Sequence, residues 1–199
     1  HCNIRLGELL PRSFSFNSPY GACPTCHGIG TRLVFHPRHV VPDPSLSLKN
    51  GAVPLWKRGP RRLIMYYNRL LRGVAKHYGF DLKTPWRKLP ERIQRILLYG
   101  SGSEPIRFTY RHRGRQRTGE KPFEGIIPNL MRRYVETASE DVREKLRRHM
   151  GRERCPDCDG HRLQPESLAV TVGGTPIHEF CAMSISSALA FCRELELQP

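Results

Sequence analysis

The clearest period in the chain runs from Arg61 to Tyr78, where Leu63, Tyr67, Leu70, Val74 and Tyr78 recur at helical spacing with arginines between them. That spacing predicts an amphipathic helix with one packed face and one wet face. A second helix is predicted from Pro90 to Tyr99 through Ile93, Ile96 and Leu97, opened by proline and stopped by Gly100. Two more follow, at about Ile127 to Glu136 and Glu140 to Met150; in the later one Val142, Leu146 and Met150 share a face and Gly151 closes the segment. Ser184 reads as the N-cap of a last helix through Ile185, Ala188, Leu189 and Phe191.

Strand periodicity is weaker. Ser13, Phe14, Ser15 and Phe16 alternate and predict a short extended segment, Ile106 to Tyr110 reads as a strand, and Leu168, Val170 and Val172 alternate before a Gly173-Gly174 turn. Arg111 to Gly119 is expected to be a loop or hairpin tip, and Ser101-Gly102-Ser103 a turn. Between Pro37 and Pro60, Pro42, Pro44 and Pro54 argue against long elements, so this connector is expected to run over the surface. The layout is α+β: a module in two separated halves with a mixed helix and strand insertion between them.

Composition narrows the class. The 199 residues, 38% hydrophobic, suffice for one or two modest domains, and no run approaches the roughly 18 to 20 apolar residues of a membrane span. The N-terminus lacks a signal-peptide pattern, and the expectation is a cytoplasmic protein with no membrane partner. The first residue is His1 and the last segment stops in a helical pattern, which suggests a piece of something longer. Thirty-three Lys and Arg against 18 Asp and Glu leave +15, a charge that attracts polyanions and makes nucleic acid the leading partner. The bland alternative spreads that charge evenly over the surface.

Four of the seven cysteines form two pairs of one pattern, C-P-x-C-x-G: Cys23-Pro24-Thr25-Cys26-His27-Gly28 and Cys155-Pro156-Asp157-Cys158-Asp159-Gly160. Two residues between thiols let a tight turn present both sulfurs to one tetrahedral ion, proline restricts that turn, and glycine can take positive φ. Two such knuckles complete a closed, structural Zn²⁺ site at Cys23, Cys26, Cys155 and Cys158. The 128 residues between Cys26 and Cys155 add only about 1.6 kcal/mol of closure cost relative to a 20-residue loop, against roughly 10 to 16 kcal/mol from zinc in finger peptides. A redox dithiol and two independent metal sites are the alternatives, and His27 and His161, which flank the pairs, read as exposed basic side chains, with substitution for a ligand the second reading. Cys181 and Cys192 read as buried thiols, and Cys2 as a candidate ligand of a second, truncated metal site.

At these residues the chain resembles the UvrA family, the damage-recognition ABC-type ATPase subunit of the bacterial UvrABC excinuclease of nucleotide excision repair. The resemblance covers nearly the whole chain. It is carried by Pro11 to Pro19 leading into Gly21-Ala22-Cys23-Pro24-Thr25-Cys26, by Leu97-Leu98-Tyr99-Gly100-Ser101-Gly102, by Pro122-Phe123-Glu124-Gly125, and by Cys155 to Leu163 with Met183-Ser184-Ile185. It implies that 1–22 is the tail of an upstream module, 23–35 the first zinc knuckle, 36–150 an insertion domain, and 151–199 the second knuckle with part of the first signature domain. It implies that the paired cysteines are zinc ligands, and that Cys2 stands where the family has the second cysteine of an earlier pair whose first member is absent here. No G-x-x-x-x-G-K-[ST] loop occurs, so this segment is expected not to hydrolyse ATP. By the resemblance, the intact protein uses ATP and Mg²⁺, pairs with a second copy of itself, scans DNA and loads UvrB.

Two basic groups are candidate DNA contacts: Arg107, Arg111, Arg113, Arg115, Arg117 and Lys121 around the expected hairpin tip, and Lys57, Arg58, Arg61 and Arg62 at the opening of a helix. Positive charge at a helix N-terminus opposes the macrodipole by about 0.3 to 1 kcal/mol, so something other than helix stability favours it there. No base-reading motif accompanies either group, which predicts sequence-tolerant phosphate contact. Competing readings are a DnaJ-like cysteine-rich chaperone domain, suggested by the C-x-x-C-x-G-x-G of Cys23 to Gly30, and a generic zinc-ribbon nucleic-acid binder.

Overall fold

A computed structural model describes residues 8–112 and 115–196; Cys2 and Arg113 lie outside them, and the side chains of 110–116 are not described. In chain order the elements are β1 (Thr31–Val34), α1 (Pro37–Val40), α2 (Pro54–Lys57), α3 (Arg61–Tyr78), α4 (Glu91–Tyr99), β2 (Pro105–His112), β3 (Arg115–Pro122) and α5 (Ile126–Glu136). Then come α6 (Glu140–Arg147), β4 (Gly151–Arg154), α7 (Pro165–Leu168), β5 (Thr171–Val172), β6 (Thr175–Pro176), α8 (Ile177–Ala182) and α9 (Ile185–Glu194). The strands form three two-stranded sheets, β1 with β4, β2 with β3, and β5 with β6. The chain divides into two compact units, Val34–Gly151 and the residues on either side of it. No helix among the described residues is long and apolar enough to cross a membrane.

The unit of residues 34–151 is built around α3. Its buried residues Tyr67, Leu70, Leu71, Val74 and Ala75 follow the helical period, and Gly79 ends it in the left-handed conformation that glycine adopts without strain. Trp56 stacks on Tyr67 with centroids 4.4 Å apart and meets Phe123 edge-on at 6.4 Å. Gly73 faces the hairpin: a Cβ there would lie 2.5 Å from Cδ1 of Phe108, so an otherwise unfavourable mid-helix glycine lets the strand approach. Ser139 caps α6 by accepting a hydrogen bond from the Val142 N–H.

The motifs Leu97 to Gly102 and Pro122 to Gly125 meet here backbone to backbone. Gly100 (φ 101°, ψ 175°) and Gly125 (φ 91°, ψ 158°) both occupy a region open essentially to glycine alone. A Cβ on Gly125 would lie 2.5 Å from the Gly100 nitrogen, and one on Gly100 would lie 2.6 Å from the Phe123 carbonyl. Ser101 N–H donates to the Phe123 carbonyl at 2.9 Å, and Phe123 N–H donates back to Ser101 Oγ at 2.8 Å.

Four sequence expectations are corrected. The Pro37–Pro60 connector is not a surface strap, because Val40, Val41, Leu48, Ala52, Val53 and Trp56 are core residues; its prolines open the short helices α1 and α2, and apolar pairs between prolines bury without any period. Arg111 to Gly119 is largely strand, since the ribbon continues to His112 and resumes at Arg115; its outer part has no apolar alternation to reveal it. Ser13 to Phe16 is not extended, because Pro11–Phe14 forms a 3₁₀ turn with proline in its first position. Leu168 ends α7, and only Thr171–Val172 pairs across the Gly173-Gly174 turn.

Candidate metal centre and basic surface

The residues flanking Val34–Gly151 bring the four paired cysteines together. All four are at least 97% buried by accessible surface, and their sulfurs lie within 4.8 Å of one another. Cys23 Sγ is 3.9 Å from Cys155 Sγ, and Cys26 Sγ is 3.7 Å from Cys158 Sγ. A disulfide would require about 2.05 Å. Four sulfurs at about 2.3 Å from a tetrahedral ion stand about 3.8 Å apart, so the donor set fits zinc in chemistry and in separation.

The two C-P-x-C turns match residue by residue. Gly30 N–H donates to Cys26 Sγ at 3.2 Å, and Arg162 N–H donates to Cys158 Sγ at 3.3 Å. The bonds between the turns are reciprocal: Cys23 N–H donates to the Arg162 carbonyl and Cys155 N–H to the Gly30 carbonyl, both at 2.9 Å. Thr25 Oγ1 donates to Asp157 across the pair. Positive φ recurs at equivalent places, His27, Gly28 and Gly30 in one turn, Asp159, Gly160 and Arg162 in the other. Arg162 therefore holds, at φ 73°, a position that glycine holds in the first turn. Its guanidinium lies 3.4 Å from the centroid of the Phe16 ring, and its Nε donates to the Gly28 carbonyl at 2.7 Å.

Backbone N–H groups of Cys158 and Asp157 directed at Cys155 hold its thiol below the usual range, while burial pushes the Cys158 thiol above it. Four thiols packed this closely cannot all ionise without a cation among them. His27 and His161 are exposed, as are Cys181 and Cys192. The expected burial of those two thiols fails, since α8 and α9 bury no residue among the described ones.

The predicted basic hairpin group does not share one face. Arg107 stands opposite Glu120 and pairs with it at 3.3 Å, whereas Lys121 and Arg117 stand on the alternate positions, opposite Ile106 and Tyr110. Arg111 pairs in register with Gln116, and Arg115 with His112. In the second group, Lys57 Nζ donates to the Lys49 carbonyl at 2.9 Å, and Arg61 and Arg62 open α3 in a first turn that holds no acidic residue. Arg58 lines a cavity of about 430 Å³ together with Arg133, Lys145, Arg148 and His149, over an apolar floor that includes Leu63 and Leu146. Arg133, Lys145, Arg148 and His149 were missed in sequence, although Lys145, Arg148 and His149 recur at one-face helical spacing.

Residues 37–148 match the family model of the UvrA DNA-binding domain. The chain belongs to the UvrA family. UvrABC system protein A of Neisseria meningitidis serogroup B is 45% identical over 197 residues, 98% of this chain, and that of Bacillus subtilis is 44% identical over 198 residues, 99% of the chain. The chain spans about 20% of the length of either relative. The crystal structure of UvrA2 from Deinococcus radiodurans aligns with 94% of this chain and 24% of its own, with a TM-score of 0.62 and 26% identity. In this UvrA segment, then, the cavity bordered by Arg58 and Arg133 lies within the matched DNA-binding domain, whereas the four cysteines lie outside it.

Proposed function

We propose that the chain is the zinc-stabilised DNA-binding segment of an intact UvrA, with one structural Zn²⁺ on Cys23, Cys26, Cys155 and Cys158. The observation that carries the metal is the agreement of the sulfur separations, 3.7 and 3.9 Å, with the edge of a tetrahedral thiolate site. Four donors leave no open position, so the ion supports structure and does no chemistry. Duplex phosphates engage the basic rim of Arg58, Arg133, Lys145 and Arg148, with Arg61 and Arg62 close to Arg58 in sequence and Arg107, Arg117 and Lys121 on the hairpin. Arg111, Arg113 and Arg115 extend this hairpin set, and Lys57 the other. Such contacts position DNA without reading bases.

In the intact protein this segment serves a cytoplasmic ATPase that uses ATP and Mg²⁺ elsewhere in the chain, pairs with a second copy of itself and loads UvrB during nucleotide excision repair. Zinc stoichiometry of the Cys23→Ser and Cys155→Ser variants tests the metal site: loss of the same single ion in both supports it, and independent losses divide it into two. A salt titration of duplex binding tests the DNA reading, with a slope of about −0.9 per phosphate neutralised expected and a flat response excluding it.

A further inference from the structure

We propose that the crevice between α3 and the β2–β3 hairpin accepts an unstacked nucleobase of a DNA strand, an assignment that rests on the DNA-binding reading above. The crevice encloses about 410 Å³, within the range of small-molecule pockets of about 300 to 1,000 Å³. One wall is Tyr66, Arg69 and Leu70 of α3; the other is Phe108, Gly119 and Lys121 of the hairpin. Phe108 and Gly119 are cross-strand partners, so no side chain stands opposite the phenyl ring on that face. Tyr66 is 39% exposed, yet its ring is held edge-on by Tyr67 at 5.3 Å, which makes it an open surface of fixed orientation. Lys121 Nζ lies 6.0 Å from the Tyr66 centroid and 5.8 Å from that of Phe108.

The exposed ring of Tyr66, with the buried Phe108 ring at the base of the crevice and an ammonium near both, suits a flat, electron-rich group attached to an anionic backbone, and a nucleobase meets each requirement. The crevice holds one acid, Glu120, whose charge is engaged by Arg107 at 3.3 Å. Arg69 spends its Nε on the Met65 carbonyl at 3.3 Å, which leaves its terminal nitrogens for a flanking phosphate. Drawing a base from an intact duplex costs about what stacking returns, whereas a bulged, mismatched or damaged base is already partly free. The crevice therefore favours distorted over regular duplex.

Binding of the zinc-loaded chain to two duplexes, one fully paired and one with a bulged 2-aminopurine, separates the possibilities. On binding, the 2-aminopurine emission of the bulged duplex is expected to fall. Tyr66→Ala is expected to weaken the bulged duplex about tenfold and the paired duplex by less than about twofold, and Tyr66→Phe to restore the difference. Equal weakening of both duplexes, or unchanged emission, overturns the crevice while leaving the DNA reading intact. Failure of the parent chain to bind either duplex overturns the DNA reading itself and the crevice with it.

Discussion

Replacing Arg162 separates what its side chain contributes from what its backbone costs. The half-buried guanidinium makes a charged hydrogen bond to the Gly28 carbonyl, worth about 1.5 kcal/mol at the low end of the range. The Phe16 face adds about 1 kcal/mol. Against these stands a left-handed φ of 73°, which costs a residue with a Cβ about 1 kcal/mol relative to glycine. Arg162→Ala therefore loses about 2.5 kcal/mol, and Arg162→Gly, which relieves the strain, about 1.5 kcal/mol. Denaturant unfolding of the zinc-loaded chain, followed by a probe on the residues flanking 34–151, measures both. An Arg162→Gly variant as stable as the parent would refute the clamp, and an Ala variant no worse than the Gly variant would refute the strain.

Gly125→Ala brings a Cβ to 2.5 Å from the Gly100 nitrogen at a glycine-only φ, ψ pair, and is expected to cost about 3 kcal/mol or more; a loss under about 1 kcal/mol in thermal unfolding would contradict that packing. The Glu124 carboxyl is held below its usual range, first by its hydrogen bonds from Arg132, so the stabilisation it provides is present above about pH 4.5 and disappears as pH falls through its lowered folded value. Arg132→Gln is expected to flatten that acid limb, and unchanged curvature in a stability–pH series would count against the pair. Neutralising Lys145 and Arg148 together is expected to lower the slope of duplex affinity against log salt by up to about 1.8, whereas an unaltered slope removes them from the DNA surface. Chelation should abolish hydrogen-exchange protection around Cys23 and Cys155 while sparing Val74, Leu97 and Leu130, because the 34–151 core contains none of the four cysteines; joint loss would show the two units to be one cooperative structure.

Sequence periodicity located what packs one-sidedly and little else. The α3 boundaries, Arg61 and Tyr78, were legible because a packed stripe and a C-terminal glycine coincide. The buried connector was not, since Val40, Val41, Ala52 and Val53 sit between prolines in pairs too short to show a period. The outer hairpin was equally opaque, because Arg111 to Gly119 contains no alternation of apolar residues. The cysteine pairs announced the four-sulfur centre, yet nothing in them singled out Arg162. Its role appears only with Phe16 and the Gly28 carbonyl around it, residues far away in the chain.

The asymmetry of the two C-P-x-C turns follows from their closeness. Gly30 and Arg162 occupy equivalent places, and each contributes its carbonyl to the other turn's first cysteine. A Cβ on Gly30 would lie 2.8 Å from the Gly160 carbonyl oxygen and 2.9 Å from Arg162 Cγ. The arginine stem thus fills the space a side chain at position 30 would need. Position 30 has no room for a side chain, first because of the Gly160 carbonyl and then because of that stem. The glycine of one turn is therefore fixed by the backbone of the other, and the turn that keeps a side chain, Arg162, uses it to hold its counterpart at the Gly28 carbonyl.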